Sequence, residues 1–409
     1  MLRYNIKKYF LISAVLLLVF SGCQKYTRLT VWSFNDELAK MIDAYTVEFP
    51  NVRVDYSITP VDQFQKRLDP VLEKDRGAPD AFALDSTFVR KYVESGLLLD
   101  LTDIYEKNKD KLIAYPVQVG THEGKVYAMS WQSNPGAMFY RRSLAKKYLG
   151  TDNPQIIQTY FADFGRLLNS ARLIKTRSNG TCAAVASYKD LLTPLFSARQ
   201  NPWIVNDRIN IDPLLDYYFN LAKEMYENRW EGRVDPYTAG WYAGMKGELK
   251  DENGRPVEVF AYFLTMKDFE NILMERADDT KGDWAMIQGP AGWYRGGSWI
   301  AAWKGTKNPQ AVNNMIEWLI TYEEVVEATE ETEEIEATDD SFLGGQDHYA
   351  QFSEMAKIVN GRLAQSRDME IQAVYIEAIN AFVKGEKTKQ QAIDDFKAQI
   401  LAEFEEISN

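Results

Sequence analysis

Apolar and polar positions begin to alternate regularly at Arg28. Residues 28–34, RLTVWSF, are β-branched and aromatic and predict a strand. Asn35 and Asp36 supply a helix start, after which Leu38, Met41, Ile42, Tyr45 and Phe49 recur at helical spacing up to Pro50. Over residues 51–57, Val52 and Val54 alternate with Arg53 and Asp55 as a second strand. This strand, helix, strand unit predicts a parallel pair joined by a right-handed crossover. A helix over 63–75 ends in a loop containing Gly77 and Pro79, and an apolar strand over 81–84 leads straight to Asp85 and Ser86. Either side chain can cap the helix starting near Thr87, while strand carboxyl ends in open α/β sheets are also where ligands bind.

Further along, residues 156–175 predict one long amphipathic helix and 183–187 a short strand. Asn206 and Asp207 mark a turn within 205–211. Leu214, Leu215, Tyr218, Leu221 and Met225 share one face of a helix over 212–228. A strand over 257–263 feeds another helix, and helices over 307–322, 370–383 and 389–405 complete the pattern. Before the first of these three lies GDWAMIQGPAGWYRGGSWIAAW, residues 282–303, with four of the chain's ten tryptophans and five glycines. Glycine frees the backbone and the rings bring flat apolar faces, a combination suited to a binding cleft or, more plainly, to a buried strand pair around a glycine turn. Within it, Trp284 and Trp303 lie in strands flanking the glycines and are assigned to packing.

Composition changes the picture at both ends. At 409 residues the chain is too long for one core and suggests two lobes. Residues 1–22 read as a targeting segment: Arg3, Lys7 and Lys8 precede an apolar run over 10–20 that is too short to span a bilayer comfortably. The run ends in Ser21, Gly22 and Cys23, which resembles the lipobox of bacterial lipoproteins with Phe20 in the place of the usual Leu. Lipidation of Cys23 is therefore expected, tying the mature chain to a membrane on its extracytoplasmic face. Without the leader, 44 Lys and Arg face 59 Asp and Glu, a net charge near −15 that makes nucleic acid and anionic lipid surfaces poor partners. Cys182 then has no disulfide partner and is expected as a buried thiol. His122 and His348 stand too isolated to suggest a metal site.

Three stretches carry a more specific likeness. VWSFNDELAKMIDAYTVEFPNVRVDY, APDAFALDSTFVRKYVESGLLLDLTDI and GKVYAMSWQSNPGAMFYRRSLAKKYLG resemble the first lobe of the extracellular solute-binding proteins of bacterial ABC importers, in the maltose-binding-protein-like carbohydrate group. Phe139, Tyr140 and Leu144 match the crossing that carries such chains into a second lobe, and Gly296, Gly297, Ser298 and Trp299 match a Gly-Gly-x-Trp motif at the return crossing. The resemblance implies an α/β, two-lobe periplasmic-binding-protein fold of type II, each lobe a mixed, mainly parallel sheet flanked by helices. It implies a first lobe of residues 23–133 and 289–322 and a second of 134–288 and 323–409 with closing helices. One departure is the run 323–340, with ten carboxylates and no basic residue, which reads as a solvated face or loop.

Sugar C–H faces lie on Trp and Tyr rings, and hydroxyl pairs take bidentate hydrogen bonds from Asp, Asn, Gln or Arg. Groups of both kinds gather at the ends of the expected strands: Trp32 and Asn35; Asp85 and Ser86; Trp131, Gln132 and Asn134; Trp293, Gly297 and Trp299; with Trp241 in the second lobe. The implied partners are a mono- or oligosaccharide held between closing lobes, an importer permease, and a membrane reached through Cys23. The chain is expected to be a monomer without cofactor or metal. The alternatives are a surface lipoprotein of the same fold that serves no importer, and a glycoside-hydrolysing enzyme. No P-loop, dinucleotide fingerprint or nucleophile elbow speaks for an enzyme.

Overall fold

A computed structural model describes residues 26–74, 76–322 and 341–408, so Cys23, the leader and the acidic run 323–340 lie outside the described residues. In chain order the main elements are β1 (Thr27–Ser33), α1 (Glu37–Glu48), β2 (Val52–Ile58), α2 (Val61–Glu73), β3 (Ala81–Asp85), α3 (Val89–Val93), β4 (Ala128–Ser130) and β5 (Pro135–Arg141). There follow α4 (Pro154–Tyr160), α5 (Phe164–Arg177), β6 (Cys182–Val185), α6 (Pro213–Glu227), α7 (Ala239–Lys246), β7 (Glu258–Thr265), β8 (Trp284–Ile287), β9 (Trp293–Tyr294) and β10 (Ser298–Ala302). The chain closes with α8 (Pro309–Thr321), α9 (His348–Ile358), α10 (Asp368–Val383) and α11 (Lys389–Glu403). It divides into two units. The first takes the described residues up to Ala83 with Leu97–Leu99 and Ile300–Tyr322. The second takes Leu84–Gly96, Asp100–Trp299 and the described residues from 341 onward.

In the first unit, β1 pairs with β2 in parallel over its whole length, as the alternating pattern predicts. The strand order is β2-β1-β3-β10. Leu38, Ile42 and Tyr45 form the buried stripe of α1. The Tyr45 ring meets Trp318 of α8 edge-on at 5.4 Å, and Trp318 donates its Nε1–H to Glu48 at 2.9 Å. Asp80 fastens the turn into β3 by accepting from the Thr30 N–H at 2.8 Å and from the Thr306 hydroxyl.

The second unit is built on the order β8-β5-β7-β6, with β9 also paired to β5. β5 runs antiparallel to β7 and β8, while β7 and β6 are parallel. Period-two alternation sends Met138 and Tyr140 to one face and Ala137 and Phe139 to the other. On the first face Tyr140, Phe161 and Phe260 pack with α5, α6, α10 and α11 around Trp203, Tyr218 and Tyr375. On the second, Phe139 stacks on Phe269 at 5.0 Å beside Trp241, Tyr262, Trp284 and Phe352. Such a ring pair adds about 0.5–1.5 kcal/mol beyond its buried area.

Two local expectations change. The single helix over 156–175 is two helices, α4 and α5. Asp163 adopts extended backbone and accepts from the Arg166 N–H at 2.7 Å, so it caps a new helix although the apolar spacing runs on. Asp85 does not cap α3 itself. Its Oδ1 accepts from the Thr87 N–H at 2.9 Å and the Thr87 hydroxyl at 2.7 Å, closing a local turn two residues before the helix begins. Asn206 and Asp207 do form the expected turn, both at positive φ, in a hairpin of Ile204–Val205 and Arg208–Ile209. Cys182 is buried, and burial pushes its thiol pKa up.

Candidate functional site

Each unit carries part of the expected set. In the first, the half-buried Trp32 ends β1, and the Arg67 guanidinium lies over its ring at 3.8 Å. Arg67 is aimed there by hydrogen bonds to the Ser57 hydroxyl at 2.8 Å and the Thr59 hydroxyl at 2.5 Å. Asn35 holds the entry to α1: its Oδ1 accepts from the Leu38 N–H at 3.4 Å and its carbonyl from the Tyr56 hydroxyl at 2.8 Å.

The rest of the set belongs to the second unit, where Asn134 links several segments. Its Nδ2–H donates to the Arg295 carbonyl at 2.7 Å, and its Oδ1 accepts from the Lys267 N–H at 3.1 Å. Its own N–H donates to the Tyr115 hydroxyl at 2.8 Å. Asn134 is thereby 7% exposed and fully engaged. Next to it, the Ser130 hydroxyl lies 2.7 Å from both the Gln132 and the Ser298 carbonyl and accepts from the Gln132 N–H. The Gly297 carbonyl accepts from the Ser86 N–H at 3.2 Å, and Gly297 has φ +113, a conformation that suits glycine. Asp85, Ser86, Trp131 and Gln132 remain partly exposed along this band, and the Trp131 Nε1 is buried without a hydrogen-bond partner.

Three tryptophans of the set lie inside. Trp241, Trp293 and Trp299 are each 1% exposed. Trp299 donates its Nε1–H to the Pro116 carbonyl at 2.8 Å. Trp293 lies on Gly136, where a Cβ would come within 2.2 Å of the indole. Trp241 donates to Asp190 Oδ1 at 3.0 Å, and its ring packs against Tyr237, Tyr242 and Tyr262.

The fold also assembles a group with no sequence signal. Tyr237, 41% exposed and at φ +64, lies 5.0 Å from Trp241, and the Arg295 guanidinium sits 5.1 Å from the Tyr237 ring. Arg295 pairs with Asp268, which also accepts from the N–H and hydroxyl of Thr265. Arg295 is next to the glycine pair, but nothing in the sequence links it to Tyr237 or Asp268. Burial, with the Asp268 charge second, raises the Tyr237 hydroxyl to about 12.

Beneath these rings lie two buried carboxyl groups. Asp190 accepts from Trp241 and, at 3.0 Å, from the Ser187 N–H, and burial raises it to about 7. Glu231, 3% exposed, accepts from the Arg233 N–H at 2.9 Å through one oxygen, while the other has no partner. Burial raises it to about 7 as well. Among the described residues, no cluster of three or more His, Cys, Asp or Glu is placed to hold a metal ion. The band offers flat rings at Trp131 and Tyr237, donors at Arg295 and Ser86, and an acceptor at Asp85. Neutral ligands with apolar faces and hydroxyl edges meet all three.

An open α/β framework that presents such groups at strand ends defines a ligand-binding protein. The family model described as bacterial extracellular solute-binding protein matches residues 32–326, and the chain belongs to that family, one of binding proteins rather than enzymes. A solved extracellular solute-binding protein family 1 structure is 18% identical, with TM-score 0.74 over 90% of this chain and 98% of that one. MalE from Xanthomonas citri is 15% identical, with TM-score 0.71 over 91% and 96%. The galacto-N-biose/lacto-N-biose I-binding protein of Bifidobacterium longum is 15% identical, with TM-score 0.66 over 92% and 97%. The chain thus has the two-lobe, mixed α/β solute-binding fold. The arabinooligosaccharide-binding protein of Bacillus subtilis is 24% identical over 169 residues, 39% of this chain and 38% of that protein, so the match spans well under half of that relative. Among the described residues no helix is long and apolar enough to cross a membrane.

Proposed function

We propose that the chain captures an uncharged sugar or oligosaccharide between its two lobes and delivers it to an ABC importer, held to the cell envelope by lipid on Cys23. The observation that carries this reading is the band in the second unit where Trp131, Gln132, Asp85, Ser86, Tyr237 and Arg295 stay partly exposed around the fully engaged Asn134. Rings take the C–H faces of a pyranose or furanose, and the polar groups take hydroxyl pairs. Arg295 is neutralised by Asp268, which favours an uncharged ligand over a sugar acid. Trp32 and Asn35 contribute from the first unit, with Gly297 giving close backbone approach. Trp241, Trp293 and Trp299, enclosed by protein, support the contact residues from behind. With lobe boundaries near 133/134, 288/289 and 322/323, Asp85, Ser86, Trp131, Gln132 and Arg295 fall to the first lobe and Asn134 and Tyr237 to the second, so a ligand that touches both stabilises a closed form for the permease to recognise.

Support comes from the family match and from relatives named for sugars: arabinooligosaccharide, lacto-N-biose and, in a structure from B. animalis subsp. lactis, β-1,6-galactobiose. The test is titration calorimetry of the purified chain against arabino-, galacto- and malto-oligosaccharides, with Trp131→Ala as the control. Micromolar binding corresponds to roughly 8 kcal/mol. Removing the Trp131 ring is expected to weaken it by about 1 kcal/mol or more. Unchanged affinity in Trp131→Ala removes that residue from the site.

A further inference from the structure

The second unit holds a cavity of about 790 Å³ that none of the candidate site residues lines. Its floor is the outer edge of β8, with Met286 and Ile287, and its walls come from α4 and α9. β8 is the last strand of its sheet, so its outward N–H and C=O groups would ordinarily invite another strand. Here glutamine amides occupy that edge and the turn after it. Gln346 accepts from the Met286 N–H at 2.9 Å and donates to the Met286 carbonyl at 3.0 Å. Gln158 accepts from the Gly289 N–H at 3.0 Å and donates to the Gly289 carbonyl at 2.9 Å. With those backbone groups satisfied, strand addition at this edge is disfavoured and the cavity suits a small molecule.

The lining chemistry narrows the class. Among the described residues Arg142 is the only basic one in the lining, and its guanidinium is spent on the Trp284 and Leu343 carbonyls, at 2.9 and 2.8 Å, and on Gln346. Glu354 is paired with Lys357, and Asp347 accepts from the Ala350 N–H at the start of α9. What remains is neutral: the side-chain amides of Gln155, Gln288 and Gln351 around an apolar base of Met286, Met355 and Ile358. A primary amide offers two donors and an acceptor, the complement of a vicinal hydroxyl pair. Thioether side chains adapt to an irregular apolar face. The volume lies within the range of small-ligand sites. We propose that this cavity is a second binding site, for an uncharged polyhydroxylated small molecule, independent of the site that includes Trp131.

The experiment uses the chain lacking only its leader, titrated with maltotriose and 1,5-arabinotriose by calorimetry and by ligand-observed NMR. Two variants accompany it: the double variant Gln288→Ala with Gln351→Ala, and Met355→Trp, which fills the cavity. Two binding events are expected for at least one sugar. The weaker event should fall about tenfold in the double variant, as expected for lost hydrogen bonds, and vanish in Met355→Trp, while the tighter event is unchanged. Thermal melting of the double variant reports that it folds, so the test stands even if Met355→Trp does not. One event for both sugars, or a second event that the double variant leaves unaltered, overturns the proposal. Persistence of the second event in Trp131→Ala shows that the two sites are separate, and its loss there overturns their independence. Direct binding of glucuronate or a neutral tripeptide, with no response to either sugar, overturns the ligand class.

Discussion

Asn134 is the side chain on which the second unit's band depends most. Replacing it with alanine removes the donor to the Arg295 carbonyl and the acceptor for the Lys267 N–H, and both groups sit against a residue that is only 7% exposed. A polar group left unpaired in such a place costs about 1–3 kcal/mol, so Asn134→Ala should destabilise the protein by roughly 2–5 kcal/mol. Asn134→Asp keeps the acceptor but sets an oxygen against the Arg295 carbonyl and buries a charge, so it should be no milder. Urea unfolding measures the loss, read as a shift in midpoint at unchanged slope. Because the Arg295 backbone is the anchored partner, ligand affinity should fall about tenfold in any variant that still folds. A change in unfolding free energy below about 0.5 kcal/mol would mean the two hydrogen bonds do not hold this band, and the reasoning fails.

Three further outcomes are expected. Asp190 and Glu231 have folded-state pKa values raised to about 7, above the ordinary carboxyl range, so their protonated forms favour the folded state. Their contribution should be fully present below about pH 4 and lost as pH rises towards about 7, and Asp190→Asn should flatten that part of a urea-midpoint profile against pH; an identical profile refutes it. Gly136→Ala forces a Cβ to within 2.2 Å of the Trp293 indole and should cost about 1–3 kcal/mol in stability by overpacking, checked by thermal melting. Cys23→Ser should move the expressed chain from the membrane fraction to the soluble fraction, and retention in the membrane fraction argues against lipidation there.

Much of the framework was legible because short-range chemistry specified it. The alternation at Val52 and Val54, the helical spacing of Leu38, Ile42 and Tyr45, and the stop at Pro50 define the β1-α1-β2 unit without help from elsewhere. Where two local signals competed, the stronger was hard to read: helical spacing continues through Asp163, yet its side chain caps a new helix. The tryptophans of residues 282–303 show a different limit. Glycines beside indoles are compatible with a ligand face or with tight packing, and it is Gly136, from a distant strand, that lets Trp293 lie flat against β5. Likewise the Trp299 N–H finds the Pro116 carbonyl far away in sequence. Tyr237, Asp268 and Arg295 meet only through the path of β7 and the turn after β9, so periodicity could not join them.

The central claim is recognition of an uncharged saccharide by the band around Asn134. Its most direct test is calorimetric titration of the chain without residues 1–22 against arabino-, galacto- and malto-oligosaccharides, repeated on Trp131→Ala and on a variant carrying Tyr237→Ala. The account predicts micromolar binding of at least one of these sugars, weakened by about 1 kcal/mol or more in each variant while melting temperatures hold. Absence of binding to every neutral saccharide, or tight binding that neither variant disturbs, would contradict it.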